Sequence, residues 1–308
     1  MKFELTVLGS GSALPRLDRK PSAQLLNVQE HYFLIDCGEG TQLELKRHGI
    51  KFQRIERIFI SHLHGDHYLG LMGLLATFHL LGREKDLHIH AAPELEQILD
   101  HQMELTGTFL RFPLHFHPTR KDHPERIFEN EKLLVTSFPL EHGIHCNGFL
   151  IQERPKKRKI RKEKLDEYDI PIQERPRLKE GEDVHDREGQ LIPCKEVTYP
   201  PPPSHSYAYC SDTAYSEALS DHVRGVDLLY HDATFLEELK ERAKKTGHST
   251  ARQAARFALN TNAGRLLLGH FSARYRDLTP FIDEASTLFS NVSVAYDGMR
   301  IRLDHSED

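Results

Sequence analysis

A strand-forming run at residues 57–60 breaks off into Ser61-His62-Leu63-His64-Gly65-Asp66-His67. Four potential ligands within six residues, directly after a buried-strand pattern, restrict the chain to folds that bring a tight polar turn to the end of a sheet. Imidazole and carboxylate together form the donor set for zinc and related divalent ions. Four such donors on one turn do not easily serve one tetrahedral ion. His62 and His64 are therefore assigned to one ion, and Asp66 and His67 to a second. Gly65 is expected to let the turn bend tightly. The competing reading is a polar surface loop; it would win for a lone histidine but not for this pattern.

Two ions need more donors than one turn supplies. His142 follows a predicted strand at 133–138, Asp212 follows Tyr207-Ala208-Tyr209-Cys210-Ser211, and His270 ends a strand at 265–269. Each terminates an apolar run, where α/β folds place their sites. A carboxylate at Asp212 could bridge the two ions.

Strand and helix patterns alternate along the chain, which predicts an α/β fold. Further strands are expected at 3–8, 24–28, 31–35, 87–91, 148–152, 206–211, 226–231 and 292–295. Helices are expected at 41–48, 69–81, 93–106, 235–244, 250–259 and 278–289. The 308 residues suit one large domain or two modest ones. Lys+Arg number 41 against 46 Asp+Glu, and a net charge of −5 argues against a generic nucleic-acid coat. The longest apolar stretch, 69–81, is shorter than the ~20 residues of a membrane span. The N-terminus opens directly into a strand pattern with no apolar signal core, so a cytoplasmic protein without membrane attachment is expected. Cys37, Cys146, Cys194 and Cys210 are scattered and read as buried hydrophobes.

Residues 154–205 break the rhythm: the stretch is charged, Pro-rich and poor in apolar periodicity, and is expected to be a partly ordered insertion. Its first part, 154–164, holds eight basic residues and one acid. Lys156, Lys157, Arg158, Lys159, Arg161 and Lys162 are the candidates for a polyanion contact, set against the plain alternative of a solvated face.

The His-x-His-x-Asp-His signature with His142, Asp212 and His270 resembles the metallo-β-lactamase superfamily. Within it, the chain is similar to the ribonuclease Z family of transfer-RNA 3′-processing endonucleases in its short form. Phe33-Leu34-Ile35-Asp36-Cys37-Gly38-Glu39-Gly40-Thr41-Gln42 resembles that family's first motif. His231-Asp232-Ala233-Thr234-Phe235, His248-Ser249-Thr250 and His270-Phe271-Ser272-Ala273-Arg274-Tyr275 resemble later ones. The resemblance covers nearly the whole chain outside 154–205. It implies a four-layer αββα sandwich with a projecting flexible arm, working as a homodimer on precursor tRNA. It implies two zinc ions per subunit, or manganese or another divalent ion in their place. One would take His62, His64, His142 and Asp212; the other Asp66, His67, His270 and the shared Asp212. Asp66 is implied as proton acceptor, with His248 near the leaving group. Asp232 stands where the family usually has Glu, Lys20-Pro21 where an Arg-Asn pair is expected, and the Gly-Pro signature of the arm is missing.

The chemistry expected is metal-activated hydroxide attack on the phosphodiester, leaving a tRNA 3′ hydroxyl and a trailer 5′ phosphate. His248, oriented by Asp232 or held near His231, is the candidate acid, and Arg274 a candidate phosphate clamp. Asp36 is read as holding the metal loop from behind rather than as a ligand. His88 with His90, and His115 with His117, are read as surface or interface residues, since neither pair has carboxylates at suitable spacing. The alternatives are a di-metal hydrolase of small phosphodiesters or related esters, and a non-catalytic RNA-binding protein on the same scaffold.

Overall fold

The computed structural model describes residues 2–14 and 16–304; Pro15 and His305 lie outside the described residues. Strands Phe3–Gly9 (β1), Ala23–Val28 (β2), His31–Ile35 (β3), Ile55–Phe59 (β4), Leu87–Ala91 (β5) and Leu114–Pro118 (β6) open the chain. Glu125–Glu129 (β7), Leu133–Pro139 (β8) and Asn147–Glu153 (β9) follow. Four two-residue strands come next: Lys159–Ile160 (β10), Val184–His185 (β11), Leu191–Ile192 (β12) and Thr198–Tyr199 (β13). Ser206–Cys210 (β14), Leu228–Asp232 (β15), Arg265–Gly269 (β16), Val292–Val294 (β17) and Arg300–Arg302 (β18) complete the set.

Two seven-stranded sheets form, in the orders β18-β1-β2-β3-β4-β5-β6 and β17-β16-β15-β14-β9-β8-β7. β3 through β6 run parallel, as do β14 through β17. Parallel strands need crossovers, and the crossover helices cover the outer faces. Thr41–Arg47 (α1), Leu71–Leu80 (α3) and Glu94–Thr106 (α4) pack on the first sheet, with the short turn Gly65–Tyr68 (α2) before α3. α3 buries Leu71, Leu74, Leu75 and Phe78, the spacing that makes one apolar stripe on a helix. On the second sheet, after Lys240–Thr246 (α8), Ala251–Asn260 (α9) buries Ala251, Ala254, Ala255 and Ala258 at the same spacing, beside Thr279–Ser286 (α10). The inner faces meet through Phe33, Phe59 and Phe149, with ring centroids 5.6 and 5.3 Å apart. This is the αββα sandwich the sequence implied, with both sheets lending strand ends to one edge.

The expected strands and long helices are present within a few residues of the expected bounds, but β6, β7 and β18 were not anticipated. All three are edge strands; their alternation is carried by His, Arg and Glu instead of apolar residues, so hydrophobic periodicity does not mark them.

The chain divides into two compact units, one of Met1–Phe128, Val135–Ile151 and His205–Asp308, the other of Glu129–Leu134 and Gln152–Ser204. The second has a small core of its own, which the poor apolar periodicity of 154–205 did not suggest. Leu165, Ile170, Leu178, Val184, Ile192, Cys194 and Val197 are buried together. Around them lie Lys162–Glu167 (α5), Arg175–Glu180 (α6) and Cys194–Val197 (α7), with β10 paired to β13 and β11 to β12. The elements are too short to show a period, which is why the apolar residues looked scattered.

Candidate metal centre

Strand ends from both sheets deliver the donors. β4 leads into His62, His64, Asp66 and His67; β8 leads to His142; β14, β15 and β16 end beside Asp212, Asp232 and His270. His62 Nε2 lies 3.0 Å from His64 Nδ1 and 3.5 Å from Asp212 Oδ2. His142 Nε2 lies 3.2 Å from His64 Nδ1 and 3.9 Å from Asp212 Oδ2. On the other side, Asp66 Oδ2, His67 Nε2 and His270 Nε2 stand 3.3–3.4 Å from one another. Asp212 Oδ1 completes that set at 3.3 Å from His67 and 3.1 Å from His270. Bonds of about 2.0–2.1 Å to a tetrahedral ion put donors roughly 3.3 Å apart. The two sets fit that spacing, and Asp212 turns one oxygen to each.

The hydrogen bonds behind the rings decide which nitrogen faces inward. His67 Nδ1 donates to Asp36 Oδ2 at 2.8 Å, and His142 Nδ1 donates to the Gly247 carbonyl at 2.8 Å. His62 Nδ1 lies 3.0 Å from Ser61 Oγ, and His270 Nδ1 lies 3.0 Å from Thr234 Oγ1. Both hydroxyls in turn donate to carboxylates, Ser61 to Asp36 and Thr234 to Asp232. Each ring that offers Nε2 to the centre thus has its Nδ1 proton anchored, leaving a lone pair for a cation. Nitrogens facing nitrogens at these distances, around a buried carboxylate, suit a divalent ion.

Electrostatics agree. Burial disfavours charge on His67, yet Asp212 and Asp36 raise it well above the usual imidazole range. Burial opposes ionisation of Asp212 too, but His270, His67 and His62 hold it well below the usual carboxylate range. The buried carboxylates thus favour positive charge on the groups around them.

Asp36 is fully buried at the end of β3 with φ 56°. It accepts from Ser61 N at 2.7 Å, Ser61 Oγ at 2.9 Å and Tyr209 OH at 2.6 Å besides His67. His270 also sits in the left-handed region, at φ 61°; such backbone persists where surrounding contacts enforce it. Gly247, φ 71°, brings its carbonyl to His142, and a Cβ there would stand 2.9 Å from His142 Nδ1. Gly65, in contrast, has no positive φ and begins α2, so the turn does not depend on glycine in the way expected. Asp36→Asn is expected to weaken metal retention about 10–100-fold, measured by competition with a chelator, while leaving circular dichroism unchanged.

His248 Nδ1 donates to Asp232 Oδ2 at 2.8 Å and lies 4.0 Å from Asp212 Oδ2. The shorter Asp side chain therefore still reaches the imidazole. Burial works against the proton on His248, but Asp232 and then Asp212 overcome it and push the group up to about 9. Thr250 caps α9 in a reciprocal box with Gln253, which fixes the chain just after His248. Of the two residues read as holding His248, Asp232 is the one in hydrogen-bond contact with it. His231 alternates with Asp232 on β15, so its ring faces the helix layer against Phe257, and its Nδ1 lies 2.9 Å from the Asp232 carbonyl. Arg274 lines a cleft of about 500 Å³ with His248, Phe235, Arg242 and Leu14. Its guanidinium lies 5.1 Å from the Phe235 ring centroid, and its Nε donates to Ser272 Oγ at 3.1 Å.

Sequence reasoning missed Ser61, Thr234 and Tyr209, and the Ala13 N–H that reaches Asp66 Oδ2 at 2.7 Å. Ser61 and Thr234 sit next to motif residues and were readable as their anchors. Ala13 and Tyr209 come from distant segments and carry no local signal.

In the second unit, four of the six candidate RNA-contacting residues already have partners. Lys156 pairs with Glu153 at 2.6 Å and Lys157 with Glu180 at 2.5 Å. Arg158 donates to Thr198 Oγ1 at 2.7 Å, and Arg161 lies over the Tyr199 ring. Lys159 and Lys162 are exposed. Over residues 152–204, 13 Lys and Arg face 12 Asp and Glu, so the unit is nearly neutral and its basic character local.

A family model described as "Beta-lactamase superfamily domain" matches residues 199–271, and one described as "Anti-Pycsar protein Apyc1" matches 3–154. A ribonuclease Z of Bacteroides thetaiotaomicron is 43% identical over 100% of this chain and 97% of its own length. That of Cytophaga hutchinsonii is 45% identical over 100% of both. Among solved structures, human tRNase Z, short form, matches with TM-score 0.70 and 28% identity, covering 97% of this chain and 98% of that one. The metallo-β-lactamase fold protein YhfI of Bacillus subtilis matches with TM-score 0.69 at 19% identity, covering 98% and 100%, a likeness of fold alone.

Proposed function

This chain belongs to the ribonuclease Z family and is an endoribonuclease of that type, and from that premise we propose that it removes the 3′ trailer of precursor tRNA. The observation that carries the reading is Asp212, whose two oxygens face two separate sets of three donors. His62, His64 and His142 would hold one zinc ion with Asp212; Asp66, His67 and His270 would hold another. Manganese or another divalent ion suits the same donors. When bound, such ions supply an activated water nucleophile and neutralise charge on the phosphate.

The chain's own groups do the rest. Asp66 accepts the proton of the attacking water as its oxygen bonds to phosphorus. His248, charged and oriented by Asp232, donates a proton to the departing 3′ oxygen as the P–O3′ bond breaks. The balance leaves a tRNA 3′ hydroxyl and a trailer 5′ phosphate. Arg274, which lines the cleft with His248 and has no acidic partner among the described residues, grips a phosphate with its planar fork in this reading. Residues 154–205 act as the RNA-gripping arm of a homodimer in the cytoplasm, the arm of one subunit serving the other's site. The family resemblance supports that part. Among the described residues no helix is long and apolar enough to cross a membrane.

The test is cleavage of a 3′-extended precursor tRNA, with both new ends mapped. A single cut leaving a 3′ hydroxyl, lost in Asp66→Ala, is expected. No cut, together with hydrolysis of a small phosphodiester, would move the substrate to that class. The arm makes a finer prediction. Replacing Lys159 and Lys162 together by Ala should lower the salt-dependence slope of tRNA binding by about 1.5–2. Replacing Lys156 and Lys157 should lower it less, because Glu153 and Glu180 already neutralise them.

A further inference from the structure

Four imidazoles stand together on the first sheet, outside the centre described above. His88 and His90 on β5 pair in register with His115 and His117 on β6. Leu87, Ile89, Leu114 and Phe116 join the helix-side core, so alternation puts all four rings on the other face. His88 Nδ1 lies 3.0 Å from His117 Nε2, and the His88 and His115 rings stack at 4.8 Å. His115 Nε2 lies 3.1 Å from Asp86 Oδ2, which supplies the carboxylate that linear spacing did not reveal. β6 is the outermost strand of its sheet, and the His115 side chain is 43% exposed, so the group is open to solvent.

The reaction above uses none of these residues. Burial, followed by Arg57 and neighbouring imidazoles, pushes His88 down to about 4, and burial with His117 and Arg57 pushes His90 down to about 2. At neutral pH these rings are uncharged and carry lone pairs. Arg57 Nη1 donates to His90 Nε2 at 3.1 Å, which leaves the His90 proton on Nδ1, buried and without a hydrogen-bond partner. Hydrogen bonding within the cluster is thus incomplete. His90 is committed to Arg57, while His88 and His117 face each other close to the spacing of two donors on one ion. Imidazole is the preferred ligand of zinc, nickel and copper.

We propose that His88 and His117 form a second, surface-accessible two-imidazole site for a borderline divalent transition ion. Arg57, whose guanidinium lies 4.2 Å from the Phe128 ring centroid, repels a cation, so this site binds more weakly than the centre that carries Asp212. The ion would cross-link the edge strand to β5. The His90 carbonyl on β5 accepts from Ile60 N at 2.9 Å, two residues before His62. Occupancy would therefore brace the strand that delivers the metal loop.

Nickel is the probe. Metal-loaded protein is dialysed against Ni²⁺, and total metal is counted per chain. The wild type is expected to gain one Ni²⁺ per chain beyond its resident metal, a gain lost in His88→Ala/His117→Ala and retained in Asp212→Ala. No additional Ni²⁺, or additional Ni²⁺ that persists in the double variant, overturns the site. Should the double variant not fold, ring resonances of the wild type decide. Selective paramagnetic broadening of His88, His115 and His117 supports the assignment, and broadening that spares them refutes it. Without Ni²⁺, His117→Gln should cleave precursor tRNA at the wild-type rate.

Discussion

Asp212→Ala should empty both donor sets at once, with metal analysis returning little bound ion and precursor cleavage falling at least roughly 10³–10⁴-fold. Asp212 Oδ2 stands 3.5 Å from His62 and 3.9 Å from His142, whereas Oδ1 stands 3.3 and 3.1 Å from His67 and His270. Each set would otherwise hold only three donors, and the remaining carboxylate, Asp66, serves one of them. His142→Ala provides the contrast, because it touches the first set alone and should leave about half the metal. Near-normal metal in Asp212→Ala, with native circular dichroism, would reduce Asp212 to a hydrogen-bond acceptor for the surrounding imidazoles.

His248→Ala should lower kcat by about 10²–10⁴-fold, the range for a positioned proton donor, with KM and metal content little changed. The pH dependence gives the sign. Asp232 at 2.8 Å holds the His248 proton, so the acid is present at neutral pH and is lost as pH rises through its raised value of about 9. The wild type should show an alkaline limb at or below that value, since cations beside Asp212 weaken its share in the rise. In the variant the limb should vanish. Asp232→Asn should shift it to lower pH by removing the charge while keeping a similar shape. A variant that retains the wild-type alkaline limb would place the acid elsewhere.

Much of this was legible because the ligands sit where apolar strands end. His62 to His67 follow β4, and His270 follows β16, so a change from apolar to polar marked each site residue. Asp232 and His248 were readable from motif context, but alternation on β15 could have excluded His231 in advance. That residue and Asp232 are neighbours on one strand and so face opposite layers. The four-histidine edge was visible as letters, but its meaning required strand pairing, since Asp86 and His115 are 29 residues apart. The core of the inserted segment was hidden for a different reason. Its buried Leu178, Val184 and Ile192 lie on elements of two to six residues, below the length at which periodicity can be detected.

Both sheets contribute to the centre, and this has a consequence for the order of synthesis. His62, His64, Asp66 and His67 leave the ribosome early, but His270, which meets Asp66 at 3.3 Å, is added 204 residues later. Until His142 and Asp212 follow, the nascent chain presents a half-site of three imidazoles and one carboxylate on a single sheet, and the second donor set stays open until His270 is added. On the proposed reading, hydrolytic competence would await translation of β16, and a nuclease made in the midst of RNA would stay inert until that strand docks.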